Sequence, residues 1–339
     1  MTLTLMLTWT RVRASRWGCP GVTAGKPGPV PTGRLCRADK AAGSYPGACP
    51  QSRRGRQLYG WTVPTEPKVP SEPTDEVFVK RRTDAPPGFF AWEAAGLAWL
   101  AEATEAGGAA VVGVREVGER HIVLDRIMPG SATGEAAEAL GQALAITHAA
   151  GATAFGAGPP GWHGDGFIGR QGLRIKEFRR WGEFYATTRL LPYATAAEQQ
   201  GTLSPVGARL VDRVCERLMV GEFDDDRPPA RIHGDLWGGN LLYSPGRYSP
   251  GRYSPDSPCA VLIDPAAHGG HGQTDLAMLE LFGTPQLQRV QAAYAEAAEL
   301  PSDWPERTGL HQLHPLLVHA VTHGPSYGLE AVTVARQYA

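Results

Sequence analysis

The chain has no apolar run approaching the ~18 residues that a membrane-spanning helix requires, so nothing in it reads as a membrane protein. Cysteine is scarce. Five occur in 339 residues, three of them at Cys19, Cys36 and Cys49, with no Cys-x-x-Cys pair and no His/Cys cluster at zinc spacing. That usage argues against a disulfide scaffold and a structural zinc site, and it fits a reducing, cytoplasmic setting. A formal net charge of −1 carries no global basic signal for nucleic acid. What remains is an ordinary soluble composition, 42% apolar, in a chain long enough for one large domain or two lobes.

The near-zero charge hides an asymmetry. Residues 1–56 hold ten Lys/Arg and one acid, Asp39, which leaves 23 basic against 33 acidic residues in the rest. This first stretch is rich in Gly and Pro and lacks helix or strand periodicity. A signal peptide fits poorly, because Met1–Thr10 has no basic start and only a short apolar run. Gly and Pro oppose the amphipathic helix of a transit peptide, and a basic nucleic-acid tail is the further alternative. The composition favours a fourth reading: residues 1–72 are an atypical segment, a misassigned start or an out-of-frame stretch, with little order.

Organised patterning begins at Glu76. Glu76–Lys80 reads as a strand, Pro86-Pro87-Gly88 as a turn, and Phe90–Glu105 as a helix with Phe90, Ala94 and Leu97 on one face. Ala109–Val114 and His121–Asp125 read as two further strands, paired as a hairpin. Residues 73–129 are thus expected to form a small lobe, and 130–339 a larger, mainly helical one. Within the latter, Gly134–Ala150, Ile175–Leu190 and Val206–Val220 have helical spacing. Ala152–Gly172 reads as a long glycine-rich loop. The sequence Tyr243-Ser-Pro-Gly-Arg247 repeats at 248–252 and decays at 253–255. It reads as a loop duplication without a role, since closure entropy grows slowly with length. A Tyr/Arg-rich contact segment is the alternative.

The chemistry concentrates in Arg231-Ile232-His233-Gly234-Asp235-Leu236-Trp237-Gly238-Gly239-Asn240. Asp235 and Asn240 stand in a D-x4-N frame, and the apolar run Val261-Leu262-Ile263 ends in Asp264-Pro265. This is the pattern of a phosphotransferase. One carboxylate, Asp235, accepts the proton of the attacking hydroxyl. An amide and a second carboxylate, Asn240 and Asp264, hold Mg2+ on the phosphates of ATP. Lys80, at the end of Val-Phe-Val-Lys, is the candidate cation for those phosphates, with Glu93 as its ion-pair partner. Trp237 offers a flat apolar face and an indole N–H to a sugar ring, or packs the loop.

The full wording HGDLWGGN resembles the fructosamine kinase (ketosamine-3-kinase) family, of the protein-kinase-like superfamily that also holds aminoglycoside and choline kinases. Ile263–Ala266, Gly270-His271, Asp275–Met278, Leu281-Phe282-Gly283, Phe167-Ile168-Gly169 and Trp181–Leu190 extend the resemblance from about Glu76 onward. It implies an α+β, bilobal fold with a small antiparallel-sheet lobe and a larger helical lobe. It implies a monomeric enzyme that phosphorylates ketosamines, free or on glycated proteins. Asp125 and Ile127 then fall where the lobes are linked and adenine is bound. His233 and Asp275 become supports of the catalytic loop, and Phe167 and Arg189 become acceptor-side residues.

Three departures stand out. Gly166 takes the place of a family Asn, Gly272-Gln273 that of Arg-Glu, and His323-Gly324 that of Phe-Gly. The Gly-rich phosphate turn expected before Lys80 is replaced by a proline-rich run from Pro64 to Pro73, which makes the small lobe incomplete. Two alternatives therefore stay open: an aminoglycoside- or choline-type phosphotransferase, and a catalytically impaired kinase-like binding protein.

Overall fold

The computed structural model describes residues 76–249, 252–254 and 259–339. The expectations for residues 1–72, including the missing phosphate turn, lie outside the described residues. β1 (Val77–Arg81) is followed by α1 (Phe89–Ala101), β2 (Ala110–Val111), β3 (Val114–Val117) and β4 (His121–Asp125). β4 is the centre of an antiparallel sheet in the order β1-β4-β3, with Lys80 opposite Ile122. Ile122 and Leu124 face the small-lobe core, to which α1 adds Phe90, Leu97 and Leu100.

The hairpin partner of β4 differs from the expected one. It is Val114–Val117, whereas Ala110–Val111 leaves the small sheet and pairs in parallel with β11. The apolar run Ala109–Val112 is continuous enough for either partner, and a buried parallel strand reads the same way in sequence.

The large lobe starts with α2 (Gly134–Ala149), whose N-cap Thr133 accepts a hydrogen bond from Ala136 N–H. The glycine-rich stretch that follows contains a small hairpin, β5 (Gly166–Ile168) with β6 (Gln171–Leu173). The expected helix over 175–190 begins later. Phe178 pairs with Phe155 as an isolated bridge, and helix starts at Trp181 as α3 (Trp181–Phe184). It widens into a π segment, Tyr185–Leu190, and returns to α geometry in α4 (Leu191–Gln199). Trp181 is buried, with its ring 4.9 Å from Tyr185 and 4.7 Å from His311. α5 (Pro205–Val220) has Ser204 as cap and Pro at its first turn.

The site region is built on short strands. β7 (Ala230–Ile232) precedes the catalytic loop, and β8 (Leu241–Ser244) follows it. β9 (Arg247–Ser249) and β10 (Arg252–Ser254) form a hairpin inside the repeat. β11 (Cys259–Leu262) pairs with β8, and β12 (His268–Gly270) with β7. Helices α6 (Gln273–Phe282), α7 (Leu287–Ala297), α8 (Thr308–His323) and α9 (Pro325–Ala335) complete the lobe. The same apolar cluster that holds Ile122, Leu124 and α1 continues through β8 and β11 to α2 and α7, so the site strands sit on a packed helical base.

The repeat has a structural job that its sequence does not announce. Tyr248 is buried and its hydroxyl donates to Asp125 Oδ2 at 2.5 Å, while accepting from Gly113 N–H at 2.7 Å. The second repeat unit is thereby tied to the end of β4, where the lobes are linked. The contact-segment alternative fits this residue better than a loop without a role.

Two outcomes follow. Tyr248→Phe removes a hydroxyl that satisfies both a carboxylate and an N–H, and it is expected to lower the unfolding free energy by about 1–3 kcal/mol in urea titration. His268 is buried and donates from Nδ1 to Ala266 O, and burial, with the charge of Arg189, pushes its pKa down to about 3 from 6.5. The folded state keeps this ring neutral where the unfolded chain protonates it. Wild-type stability relative to His268→Gln should therefore fall, as pH drops from 6.5 toward about 4, by about 1.4 kcal/mol per pH unit. An unchanged difference would show the ring to be protonated in the fold.

Candidate active site

The catalytic loop turns on Gly234, which has φ +78 and where a Cβ would lie 2.4 Å from Ala266 O. Only glycine fits both demands. The turn exposes two successive backbone donors, and both are taken by one carboxylate. His233 N–H reaches Asp275 Oδ2 at 2.7 Å, and Gly234 N–H reaches Oδ1 at 2.9 Å. Asp275 is 0% exposed. Its Oδ2 also meets His148 Nε2 at 3.1 Å, and His148 Nδ1 meets Tyr294 Oη at 2.7 Å. Burial alone would raise Asp275, but the hydrogen bond and charge of His148, with the His233 N–H, hold it below its usual value.

His233 makes the second brace. Its Nδ1 accepts from Asp235 N–H at 3.2 Å, which leaves Nε2 as the protonated nitrogen, donating to Ile263 O at 2.9 Å. Burial lowers its pKa, in keeping with that neutral form. One imidazole thus connects the loop bearing Asp235 to the strand end bearing Asp264. Ala266 N–H bonds His233 O, Ile263 N–H bonds Asn240 O and Asn240 Nδ2 reaches Asp264 O at 3.5 Å, so with the imidazole the two segments are stitched at four points.

Asn240 closes the loop. Its Nδ2 donates to Asp235 O at 2.8 Å and to Asp235 Oδ2 at 3.2 Å. The amide nitrogen being used on Asp235, the amide oxygen is the atom available to a cation. Asp264 has φ +53, a left-handed conformation that Asp tolerates better than most residues. Its Oδ1 lies 2.8 Å from Lys80 Nζ, which also reaches Glu93 Oε2 at 2.9 Å. Sequence reasoning placed Lys80, Glu93, Asp264, Asn240 and Asp235 in one site, and the structure brings all five together.

The cluster carries more acid than base. Burial, then the charge of Asp264, pushes Asp235 up to about 8. Burial likewise raises Glu93 to about 7 against the pull of Lys80. Lys80 is itself raised. Burial works against it, but the charges of Asp264 and Glu93 prevail. Three carboxyls sharing one ammonium is an arrangement short of positive charge, and oxygen donors are what a divalent cation takes.

The remaining expected residues fall in different places. Asp125 is 6% exposed at the end of β4, with Arg115 and Tyr248 on its carboxylate. Its backbone N–H bonds Gly113 O. The linker is anchored from below by Arg126 N–H to Glu76 O at 2.9 Å, and half-buried Ile127 follows it. Trp237 is half-buried, with its ring lying along the loop so closely that a Cβ on Gly239 would come within 2.1 Å of it. Phe167 faces Phe89 at 5.4 Å between ring centres, and its carbonyl accepts from Trp92 Nε1 at 2.9 Å. It joins α1 to the β5–β6 hairpin. Arg189 is 1% exposed, with Nη1 on Arg174 O at 2.9 Å and its guanidinium 4.7 Å from the Phe184 ring. An acceptor-side role fits it poorly, because it lies inside the large lobe; it braces the π segment.

The departures from the family pattern have local causes. At Gly166 a Cβ would stand 2.5 Å from the Trp92 indole, so the ring of Trp92 fills the place of the Asn side chain. At Gly272 a Cβ would meet Tyr294 Oη at 2.4 Å and His148 Nδ1 at 2.8 Å. A larger residue would break the chain that holds Asp275. His323 stacks on His319 at 4.8 Å, and Gly324, at φ +106, ends α8. His148, Tyr294, Trp92 and Tyr248 were not found by sequence reasoning.

A small antiparallel lobe, a helical lobe and a Lys–Glu–Asp cluster beside a catalytic loop define a protein-kinase-like phosphotransferase with an alcohol group as acceptor. The fructosamine kinase family model matches residues 65–338. The chain is 32% identical to the probable ketoamine kinase of Thermus thermophilus over 249 residues, which covers 74% of this chain and 82% of that relative. A solved Thermobifida fusca structure, described as a candidate fructosamine-3-kinase, is 43% identical with a TM-score of 0.68, over 77% of this chain and 85% of that one. A Haemophilus somnus structure with the same description shares the fold, at 18% identity and a TM-score of 0.62, over 77% of this chain and 82% of that one. The chain belongs to the fructosamine kinase family.

Asp275 and Asp235 should separate clearly in stability. Asp275→Ala leaves two buried N–H groups and His148 Nε2 unpartnered, and urea unfolding is expected to report a loss of about 3–5 kcal/mol. Asp235→Asn removes a carboxyl that its surroundings disfavour as an anion, and it is expected to leave metal-free stability unchanged or higher. Equal losses at both positions would contradict the assigned division between support and chemistry.

Proposed function

We propose that the chain transfers the γ-phosphoryl group of ATP, with Mg2+, to a sugar hydroxyl of a ketosamine, a fructosamine or ribulosamine, and so serves deglycation of amines or proteins. The observation that carries this reading is the convergence of Asp235, Asn240, Asp264 and Lys80, with Lys80 Nζ at 2.8 Å from Asp264 Oδ1 and Asn240 Nδ2 at 3.2 Å from Asp235 Oδ2.

The residues present fit magnesium and a polyphosphate. The excess of carboxylate over ammonium, the orientation of the Asn240 amide and the partly open Asp264 carboxylate supply hard oxygen donors to a cation. Bound Mg–ATP would supply the electrophilic phosphorus and neutralise charge on the phosphate oxygens. Asn240 and Asp264 would hold the metal, and Lys80, fixed by Glu93, would hold phosphate oxygens.

Asp235 would orient the acceptor hydroxyl and take its proton as the new O–P bond forms and the bond from the γ-phosphorus to the leaving ADP oxygen breaks. Its Asn240 contact keeps the carboxylate aimed, and the His233 and Asp275 braces keep the loop from relaxing. The linker from Asp125 to Ile127 would meet adenine through backbone groups. Trp237 would offer the sugar a flat face beside Asp235, and Phe167 would act by fixing α1, and with it Glu93, against the large lobe. Among the described residues no helix is long and apolar enough to cross a membrane, which supports a cytoplasmic enzyme. A monomer acting on a small ketosamine or a glycated protein completes the reading.

The test is phosphoryl transfer from Mg–ATP to a panel of fructosyl-lysine, ribulosyl-lysine, an aminoglycoside and choline. Ketosamines should be preferred by at least about 100-fold in kcat/KM, and Asp235→Asn should lower kcat by about 10²–10⁴. Preference for the aminoglycoside or choline would replace the acceptor assignment. Mg–ATP binding without transfer to any acceptor would favour a binding protein.

A further inference from the structure

A charge buried in the large lobe lacks a counterion. Arg189 is 1% exposed, and among the described residues it makes no ion pair. Its Nη1 is spent on the carbonyls of Arg174 and Thr188 and on the Thr188 hydroxyl. Its Nε and Nη2 are buried and have no hydrogen-bond partner there. Asp165, the one carboxylate whose charge reaches it, is exposed and accepts from Ile175 N–H instead. A guanidinium stays charged at any ordinary pH, so the fold holds a full positive charge with two unused donor nitrogens.

The same arginine lines a small cavity. The walls include Gly234, His268 and His314, and the cavity has about 10 Å³ of room for solvent, the scale of a single small occupant. His314 adds a second unmet polar atom, since its Nε2 is buried without a partner. Gly234 places the cavity directly behind the turn that carries Asp235. Arg189 and His314 therefore both line one compartment on the back of the catalytic loop.

We infer that this cavity is a binding site for a monatomic anion, chloride under ordinary conditions, paired with the Arg189 guanidinium. A water molecule would satisfy donors but leave the charge uncompensated. A polyatomic anion such as phosphate exceeds the room. The ion neutralises the buried arginine and stiffens the Gly234 turn from behind. This site is independent of the acceptor and of nucleotide chemistry.

The test uses the full chain. Crystals soaked in bromide should give an anomalous peak within hydrogen-bond distance of Arg189. Thermal unfolding in chloride at ten times its Kd should run about 2–4 °C above that in gluconate at equal ionic strength, with sulfate and phosphate failing to substitute. Arg189→Met should abolish the halide response. If that variant does not fold, the bromide map and the wild-type halide titration decide alone. A bromide peak absent from the cavity, or identical unfolding in chloride and gluconate, would overturn the site and leave water as its occupant.

Discussion

The structure turns on the bond between one buried carboxylate and two successive backbone N–H groups. Asp275 holds His233 and Gly234 through separate oxygens. Everything chemical in the loop hangs from that grip, because Gly234 sets the turn that aims Asp235 and starts the path to Asn240. A carboxylate removed from water is expensive unless paired and fully hydrogen-bonded. Here His148 supplies the pairing and Tyr294 orients His148 in turn. The result is a rigid anchor drawn from the consecutive helices α6 and α7 and the remote α2, beneath a loop that must keep its shape while substrates exchange.

The site side shows the opposite electrostatic condition. Glu93 and Asp264 hold Lys80, with Asp235 within reach of their charge, and burial pushes Asp235 and Glu93 upward. Such crowding is a liability in an isolated fold. In a site that receives cations it is stored attraction, since each carboxyl gains most when positive charge arrives. The division explains why acids only about 40 residues apart in sequence behave differently. Asp275 is satisfied by protein donors, and Asp235 is left short of them.

Much of the site was legible because its chemistry is local. Asp235 and Asn240 belong to one loop, Asp264 ends an obvious apolar strand, and Lys80 and Glu93 are separated by a single turn and the start of a helix. The supports were not legible. His148 meets Asp275 across 127 residues, and Tyr294 meets His148 across 146, with no periodicity to announce either. Tyr248 is one of three repeated tyrosines, and only the fold shows which one reaches Asp125. The element boundaries failed for a related reason. Ala109–Val112 reads as strand with any partner, and it found one in β11. Residues 175–180 carry helical spacing, but Phe178 is held in a bridge to Phe155 before the helix can start. Gly166 and Gly272, departures when set beside the family, are spaces occupied by Trp92 and by the His148–Tyr294 pair.

We propose that Lys80, Asn240 and Asp264 form a metal-dependent nucleotide site. Isothermal titration of the full chain with ATP, with and without Mg2+, measures it most directly, with Asp264→Asn as the paired variant. Binding should strengthen with Mg2+, and the variant should lose that strengthening. ATP binding indifferent to both Mg2+ and Asp264, or no binding by the wild-type chain, would contradict it.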